Sequence, residues 1–366
     1  MTFPVINTLA EFKEQVGNVP GIEFKTDERG YTVASYYILD DSVFNSEYAR
    51  ECRGITFDPN GVIASRPFHK FFNLNQKEAT LEKNIDWNDV HTIMNKADGS
   101  MITPVLINGV IEWKTKRTFT SAEAQYAMAN FGANSVQAIF ATAMMEKGFT
   151  AIFELTSPAN RIVVPYKEPN LALLAIRNNV TGEYTNRDEL ANLAAKYNVP
   201  VIEYEKFISL YQQEGIRPFK ESVDFDTGIE GYVIQFNSGD MVKMKTRWYV
   251  SLHRVVTFVT EKNVAEMVIE QTLDDYKSYC MSVGETDLFD KVNKIESRVV
   301  AQLIELSTEV GFIIMGDNST TPKEFAVKYK EHPLFHLLIC KFRGKEPNYT
   351  EYFSRNFLSG YTNVCI

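Results

Sequence analysis

The sequence is poor in the features that mark a secreted, metal-clustered or membrane protein. Its 366 residues hold four cysteines, Cys52, Cys280, Cys340 and Cys365, scattered and never at CxxC spacing. Without a secretion signal, such thiols are expected to stay free in a reducing cytosol. The five histidines (His69, His91, His253, His332 and His336) make no HExxH motif, and His332 with His336, at HxxxH spacing, is too little by itself to read as a zinc site. No apolar run approaches the roughly 18 residues of a membrane span, and nothing reads as a signal peptide. The expectation is a soluble cytoplasmic chain with no membrane partner. Internal repeats and low-complexity tracts are missing too, so solenoids and disordered tails drop out.

Positive charge is also scarce. Lys and Arg number 38 against 47 Asp and Glu, a net charge of −9, which argues against coating nucleic acid by bulk electrostatics. The deficit is uneven. Residues 51–120 carry nine basic and eight acidic side chains, leaving 29 and 39 for the remainder. A local basic site on an acidic body suits one defined polyanionic ligand.

What is present is globular: 45% hydrophobic, 13% aromatic and 23% charged residues, at a length that suggests two domains. The first two-thirds reads mainly as strands and hairpins. DPNG at 58–61 and NG at 108–109 are turns flanked by apolar runs, and FTAIFEL (149–155) reads as a buried strand. LALLAIR (171–177), YVIQF (232–236) and MVKMK (241–245) add further antiparallel pairs, with helices expected over 121–131 and 187–197. Beyond His253 the texture becomes helical. Leu288, Val292, Ile295, Val299, Leu303 and Leu306 form one helix stripe, and Thr321-Pro322-Lys323-Glu324 is a capping box with proline at the first helical position. The fold class expected is α+β: a domain of antiparallel sheets flanked by helices over 1–253, then an all-helical domain over 254–366.

The stretch NKADGS (95–100) carries the chemical question. Lys96 stands two residues before Asp98-Gly99, between a helix-like segment and an apolar hairpin. Alone it reads as a solvated turn lysine, since KxDG arises by chance in roughly one chain in twenty of this length. Its company changes that reading. Glu51-Cys52-Arg53-Gly54, ASRPFHKFFNL (64–74), Lys96-Ala97-Asp98-Gly99, FELTSPANRIV (153–163), Ile229-Glu230-Gly231-Tyr232-Val233, Val242-Lys243-Met244-Lys245 and WYVSLH (248–253) follow one another in that order. From about residue 31 to 253 the sequence resembles the phage RNA ligase 1 family of ATP-dependent RNA ligases. That family belongs to the covalent nucleotidyltransferases, with DNA ligases and mRNA capping enzymes.

The resemblance implies that Lys96 attacks the α-phosphorus of ATP, forms lysyl-AMP and expels pyrophosphate. Free lysine is protonated at neutral pH, so neighbouring cations and desolvation must favour its amine. Lys243 and Lys245, two apart on one strand, share a sheet face and are implied to meet the triphosphate. The family places Lys116 near the phosphates, whereas Lys114 is expected to face solvent or RNA. Arg53 and Lys70 match phosphate-side cations. Tyr36 matches a tyrosine near the nucleotide, though alone it reads as a half-buried strand residue. Phe72 is either an adenine-stacking ring or strand core. Glu154 closes an otherwise apolar strand, where a charge needs a partner, and matches a ribose- or metal-linked glutamate. Glu230, before Gly231, matches a metal-associated carboxylate. Tyr249 matches a tyrosine needed for ligation, with a core aromatic as the bland alternative. Asp274 and Asp275 match an acidic pair that can bind metal; solvated helix carboxylates are an equal reading.

The implied activity joins RNA 5′-phosphate and 3′-hydroxyl ends with ATP as co-substrate and Mg²⁺, or Mn²⁺, as the metal. The implied biology is repair of a cleaved tRNA, by a monomer. DNA ligases and capping enzymes use the same lysine but carry a β-rich OB domain after the last lysine motif, where this chain turns helical. A non-catalytic RNA- or nucleotide-binding protein leaves Glu154 and Glu230, which repel RNA, without a purpose.

Overall fold

The computed structural model describes residues 3–36, 41–160, 164–206, 217–250, 260–283 and 286–362. Its contacts divide the chain into two units: Met1–Val19 with Phe24–Ser35 and Asp41–Val256, and Pro20–Glu23 with Tyr36–Asp40 and Thr257–Ile366. Residues 161–163 and 251–253 of the quoted motifs lie outside the described residues, as does Cys365. Cys52, Cys280 and Cys340 are free thiols.

Three sheets build the first unit. β1 (Ile22–Thr26), β2 (Thr32–Tyr36), β3 (Ile55–Phe57) and β4 (Ile63–Ser65) lie in sequence order, with DPNG turning β3 into β4. β5 (Phe72–Asn73) and β6 (Val90–Lys96) join a five-stranded sheet completed by β11 (Tyr204–Lys206), β12 (Gly231–Phe236) and β13 (Met241–Lys245), in the order β11-β6-β12-β13-β5. The third sheet runs β10-β9-β7-β8, from β7 (Ser100–Ile107), β8 (Val110–Lys114), β9 (Phe149–Thr156) and β10 (Asn170–Asn178). Asn108 and Gly109, both at positive φ, make the tight β7–β8 turn that an Asn-Gly pair favours.

Helices cover the apolar faces. α1 (Leu9–Val16) and α2 (Glu47–Glu51) precede the sheets' main helices, α3 (Ala122–Asn130) and α4 (Val136–Met145). α5 (Arg187–Tyr197) spans the segment expected from periodicity, capped by the Asn186 side chain and by Asn198 at positive φ. Trp113, Phe140, Phe153, Leu155, Leu173 and Leu190 form a core where α4 and α5 meet the third sheet. α6 (Arg217–Phe225) packs Phe219 and Val223 onto Ile93, Ile234 and Val242 of the five-stranded sheet. Phe68, Phe71, Ile152, Ala175 and Met241 pack together from these two sheets and their connection.

One sequence expectation is corrected here. The segment before Lys96 is not an α-helix: after the last of three short 3₁₀ turns (Trp87–Asp89) it is the seven-residue strand β6. Thr92 and Met94 fall on one face and Ile93 on the other, and every one of them is buried. Burial on both faces hides the alternation that would mark a strand.

The second unit is helical past Thr260, with α7 (Glu261–Glu270), α8 (Leu273–Val283), α9 (Thr286–Met315), α10 (Pro322–Tyr329), α11 (Phe335–Phe342) and α12 (Tyr349–Asn356). The expected stripe is the buried face of α9: Val292, Ile295, Val299, Leu303, Leu306 and also Val310, with Leu288 half-buried. Thr321 and Glu324 close the capping box of α10, with Pro322 as its first residue. Among the described residues no helix is long and apolar enough to cross a membrane.

Candidate active site

Strand pairing, more than sequence proximity, gathers the charged groups. Gly231 opens β12 and is the register partner of Lys96 on one side and Lys245 on the other. Glu230 therefore sits between two strand-end lysines. Its Oε2 accepts from Lys96 Nζ at 2.6 Å and its Oε1 from Lys245 Nζ at 2.5 Å, with the carboxylate only 4% exposed. A buried carboxylate shared by two ammonium groups is compensated electrostatically, where an unpaired one is not. Gly231 permits the arrangement. Its φ is +153°, and a Cβ there would stand 2.2 Å from the Met244 carbonyl oxygen.

The turn after Lys96 is pinned from three sides. Asp98, 1% exposed, accepts the Tyr249 hydroxyl at 2.8 Å through Oδ1 and the Val164 N–H at 2.7 Å through Oδ2. Its own N–H donates to the Tyr166 hydroxyl at 3.0 Å. Lys245 Nζ lies 4.7 Å from the Tyr249 ring centroid, a cation–π contact. A Cβ on Gly99 would stand 2.2 Å from the Leu155 carbonyl oxygen, so glycine lets the turn press against β9 beside Glu154.

Glu154 is half-buried, and its pKa is pushed up to about 7. Burial is the chief cause; Lys96 and Arg53 pull the other way, while Glu230 and Asp98 add to the rise. Lys96 and Glu154 line two cavities. One, of about 200 Å³, is also lined by Arg53, Phe68, Phe71, Met101 and Lys243. The other, of about 340 Å³, is lined by Tyr166, Asn170, Glu203 and Ile229 among others, besides Lys96 and Glu154. In the first, the Arg53 guanidinium and Lys243 Nζ stand 5.3 and 5.6 Å from the Phe71 centroid. A ring beside two cations and a half-buried acid can accommodate an anion that carries an aromatic group.

The sequence model of the RNA ligase family matches residues 51–249, more than half the chain. The chain belongs to the RNA ligase family. This family member is 29% identical over 239 residues to a protein of Thermovibrio ammonificans, covering 63% of this chain and 60% of that one. It is 26% identical over 260 residues to RNA ligase 1 of bacteriophage TS2126, covering 69% of this chain and 63% of the relative. The chain thus spans less than two-thirds of the length of these curated relatives. Its fold is similar to that of an archaeal ATP-dependent RNA ligase, with a TM-score of 0.50 at 11% identity over 84% of this chain and 80% of that one.

Seven of the residues singled out in the sequence come together in this family member: Arg53, Lys96, Glu154, Glu230, Lys243, Lys245 and Tyr249. Others stand elsewhere. Lys70 Nζ packs over the rings of Phe44 and Phe72, at 5.4 and 5.2 Å. Phe72 is buried and lines a different cavity with Arg50, Lys77 and Asp240, so of this adjacent pair the ring at the Lys96 cavity is Phe71. Adjacent residues of an extended segment point to opposite faces, and KFFNL does not say which face is which.

Lys116 is half-buried, lines neither cavity and turns its carbonyl toward Gly54. Lys114 is a correction: no part of it reaches solvent, its Nζ donates to the Gly54 carbonyl at 2.9 Å, and burial lowers its pKa to about 7. β8 ends at Lys114, so the two-residue alternation of WKTK does not carry on to Lys116.

Tyr36 belongs to the second unit, where its carbonyl accepts from Gln271 Nε2 at 2.8 Å. Asp274 and Asp275 occupy the first turn of α8 in that unit, a position the helix dipole favours for acids, and Asp274 is buried. Among the described residues no three His, Cys, Asp or Glu side chains gather as a metal cage. Sequence reading had assigned no role to Phe71, Tyr166 or Asp98. Only Asp98 carried a signal, as the acid of the KxDG stretch; the others depend on chain crossings.

Proposed function

We propose that this chain is an ATP-dependent RNA ligase joining 5′-phosphate and 3′-hydroxyl RNA ends, with Lys96 as the AMP-accepting nucleophile. The observation that carries this reading is Lys96 Nζ held 2.6 Å from Glu230 Oε2 at the junction of two cavities, one walled by Arg53, Phe71 and Lys243. Family membership supports it.

In the first step Lys96 Nζ attacks the α-phosphorus of ATP. A P–N bond forms, the bond to the β-phosphate bridging oxygen breaks, and pyrophosphate leaves. Glu230, already hydrogen-bonded to Nζ, is placed to receive the proton that nitrogen must lose. Arg53 and Lys243 are placed to hold phosphate oxygens, and Phe71 to stack on adenine. Lys245 orients Glu230 from its other oxygen, and Tyr249 with Asp98 fixes the turn that aims Lys96. Next the RNA 5′-phosphate oxygen displaces Lys96 from the AMP phosphorus. Finally the 3′-hydroxyl attacks that 5′-phosphorus and AMP departs.

Glu154 and Glu230 would hold a hard divalent cation such as Mg²⁺ or Mn²⁺, since carboxylate oxygens are the ligands such ions prefer. Glu154, raised toward neutrality by its burial, would be returned to its ionised form on holding the ion with Glu230. The ion would supply neutralisation of the triphosphate charge. The helical unit chooses which RNA ends are presented, with a cleaved tRNA as the natural class; Asp274, Asp275 and Tyr36 belong to that unit. The test is to mix purified protein with α-labelled ATP and magnesium. A protein-bound AMP that survives denaturation is expected; its absence overturns the reading and leaves a nucleotide-binding protein.

A further inference from the structure

Lys114 is a buried lysine that the proposed chemistry does not use. Its side chain is wholly enclosed, its hydrogen-bond partner is the Gly54 carbonyl at 2.9 Å, and no carboxylate pairs with it among the described residues. An ammonium group taken out of water without a counter-ion is costly, and a methionine of similar length would fill the same space without that penalty. A lysine there implies a task beyond packing.

Its one partner suggests the task. Gly54 follows Arg53, the cation beside Phe71, and Arg53 forms no ion pair with a carboxylate among the described residues. The Arg53-Gly54 turn is held on three sides. The Gly54 N–H donates to the Ala34 carbonyl at 2.9 Å, its carbonyl accepts from Lys114 Nζ and from Thr56 Oγ1 at 3.0 Å, and its Cα abuts the backbone of Lys116. At φ +100° a Cβ on Gly54 would stand 2.6 Å from the Lys116 carbonyl oxygen, so the close approach of the 114–116 segment is built in. Of the two donors to that carbonyl, Lys114 reaches across from a different strand.

The geometry points to Lys114 as a positioning residue that fixes the Arg53-Gly54 turn from below, so that the Arg53 guanidinium is presented to the polyphosphate of the nucleotide. This rests on the ligase reading above and deepens it. Lys114 does not touch the nucleotide; it acts through Arg53.

The test uses the full chain and measures the rate of protein-AMP formation against ATP concentration for wild type, Lys114→Met, Arg53→Ala and the double variant. Lys114→Met should raise the ATP concentration for half-maximal rate about tenfold, one hydrogen bond's worth of positioning, and leave the saturated rate within about threefold. In the Arg53→Ala background the same substitution should have almost no further effect, because the group it positions is gone. Thr56→Val, which removes the local donor to Gly54, should change the half-maximal concentration far less.

Additive effects of Lys114→Met and Arg53→Ala, or a fall in saturated rate with no change in half-maximal concentration, would overturn the proposal. Should Lys114→Met fail to fold, Lys114→Gln keeps an N–H donor at shorter reach and is read in the same cycle. Failure of both to fold would assign Lys114 to the core and overturn it equally. A wild-type protein that forms no adduct would instead sink the ligase reading, and this inference with it.

Discussion

Two buried charge clusters in the first unit make opposite use of the same side-chain types. Around Glu51, Arg66 and Arg177 one carboxylate is shared by two guanidinium groups, and every guanidinium nitrogen has a hydrogen-bond partner. Arg66 bonds the Glu51 carboxylate and the carbonyls of Pro4, Asn179 and Val180, while Arg177 bonds Glu51 and the carbonyls of Pro67 and Gly182. Around Lys96 the accounts are left open. Glu230 is shared by two lysines, but among the described residues the Arg53 guanidinium meets the Phe71 ring and the Met101 sulfur and no carboxylate, and Glu154 is driven toward its neutral form. The first cluster ties α2 to β10 and the chain's start. The second holds charge in readiness for a ligand. Strong perturbation alone therefore does not identify a functional site; a perturbed group whose bonding capacity is incompletely met is the better marker.

The largest effect that separates the clusters is expected at Lys96. Lys96→Ala should abolish the AMP adduct, yet the variant should still seal, at least weakly, RNA supplied with a pre-adenylylated 5′ end. Thermal unfolding should change little, because the side chain is partly exposed and packs lightly. Adduct formation by that variant would remove Lys96 from the mechanism.

Glu51→Gln should do the reverse. Leaving two buried guanidinium groups around a neutral amide is expected to cost about 3–5 kcal/mol of stability, read by denaturant unfolding. At a temperature where the variant is folded, its half-maximal ATP concentration should match wild type. A large change in that concentration with unaltered stability would mean the two clusters are not separate in role.

Within the open cluster, Lys245→Ala should depress adenylylation on the order of 10²-fold, since it removes one of the two cations that fix Glu230. Lys243→Ala should act on ATP affinity, because Lys243 stands beside Phe71 at the cavity wall. Single-turnover rates across an ATP titration distinguish them, and identical profiles would contradict the placement.

How much of this was legible in the sequence depends on what each residue's position requires. The hairpins at 58–61 and 108–109, the span of α5 and the stripe of α9 were readable because their signals are local. The chemistry of Lys96, Glu230 and Lys245 was readable from ordered motifs, but their meeting at Gly231 comes from strand pairing across more than 130 residues of chain. β6 was misread because it is buried on both faces. Phe71 and Phe72 are adjacent rings whose facing is decided by the sheet they join, and Lys114 looked solvated because its burial is set by the Arg53-Gly54 turn of a distant segment. Local rules could not reach those three.

The smallest effect is the most direct test of the contrast, because it turns on two glutamates with opposite shifts. The Glu51 pKa is lowered from 4.5 to about 2: burial opposes ionisation, but Arg177 and Arg66 outweigh it. Its folded form holds fewer protons than the unfolded chain. Its contribution to stability is therefore complete above about pH 4.5 and is lost as pH falls through about 2, on the order of 3 kcal/mol in all. Glu154 is raised from 4.5 to about 7, so its folded form holds more protons. Its contribution is complete below about pH 4.5 and is lost as pH rises through about 7, leaving a protein that pays for an ionisable group it needs for chemistry. Glu154→Gln should accordingly stabilise the metal-free protein above pH 7 by about 1 kcal/mol while impairing adduct formation, and change stability little at pH 4.5. Urea unfolding at the two pH values measures it. A Glu154→Gln variant less stable than wild type at high pH would show that this carboxylate is compensated as Glu51 is, and the distinction between a closed cluster and an open one would fail at its central residue.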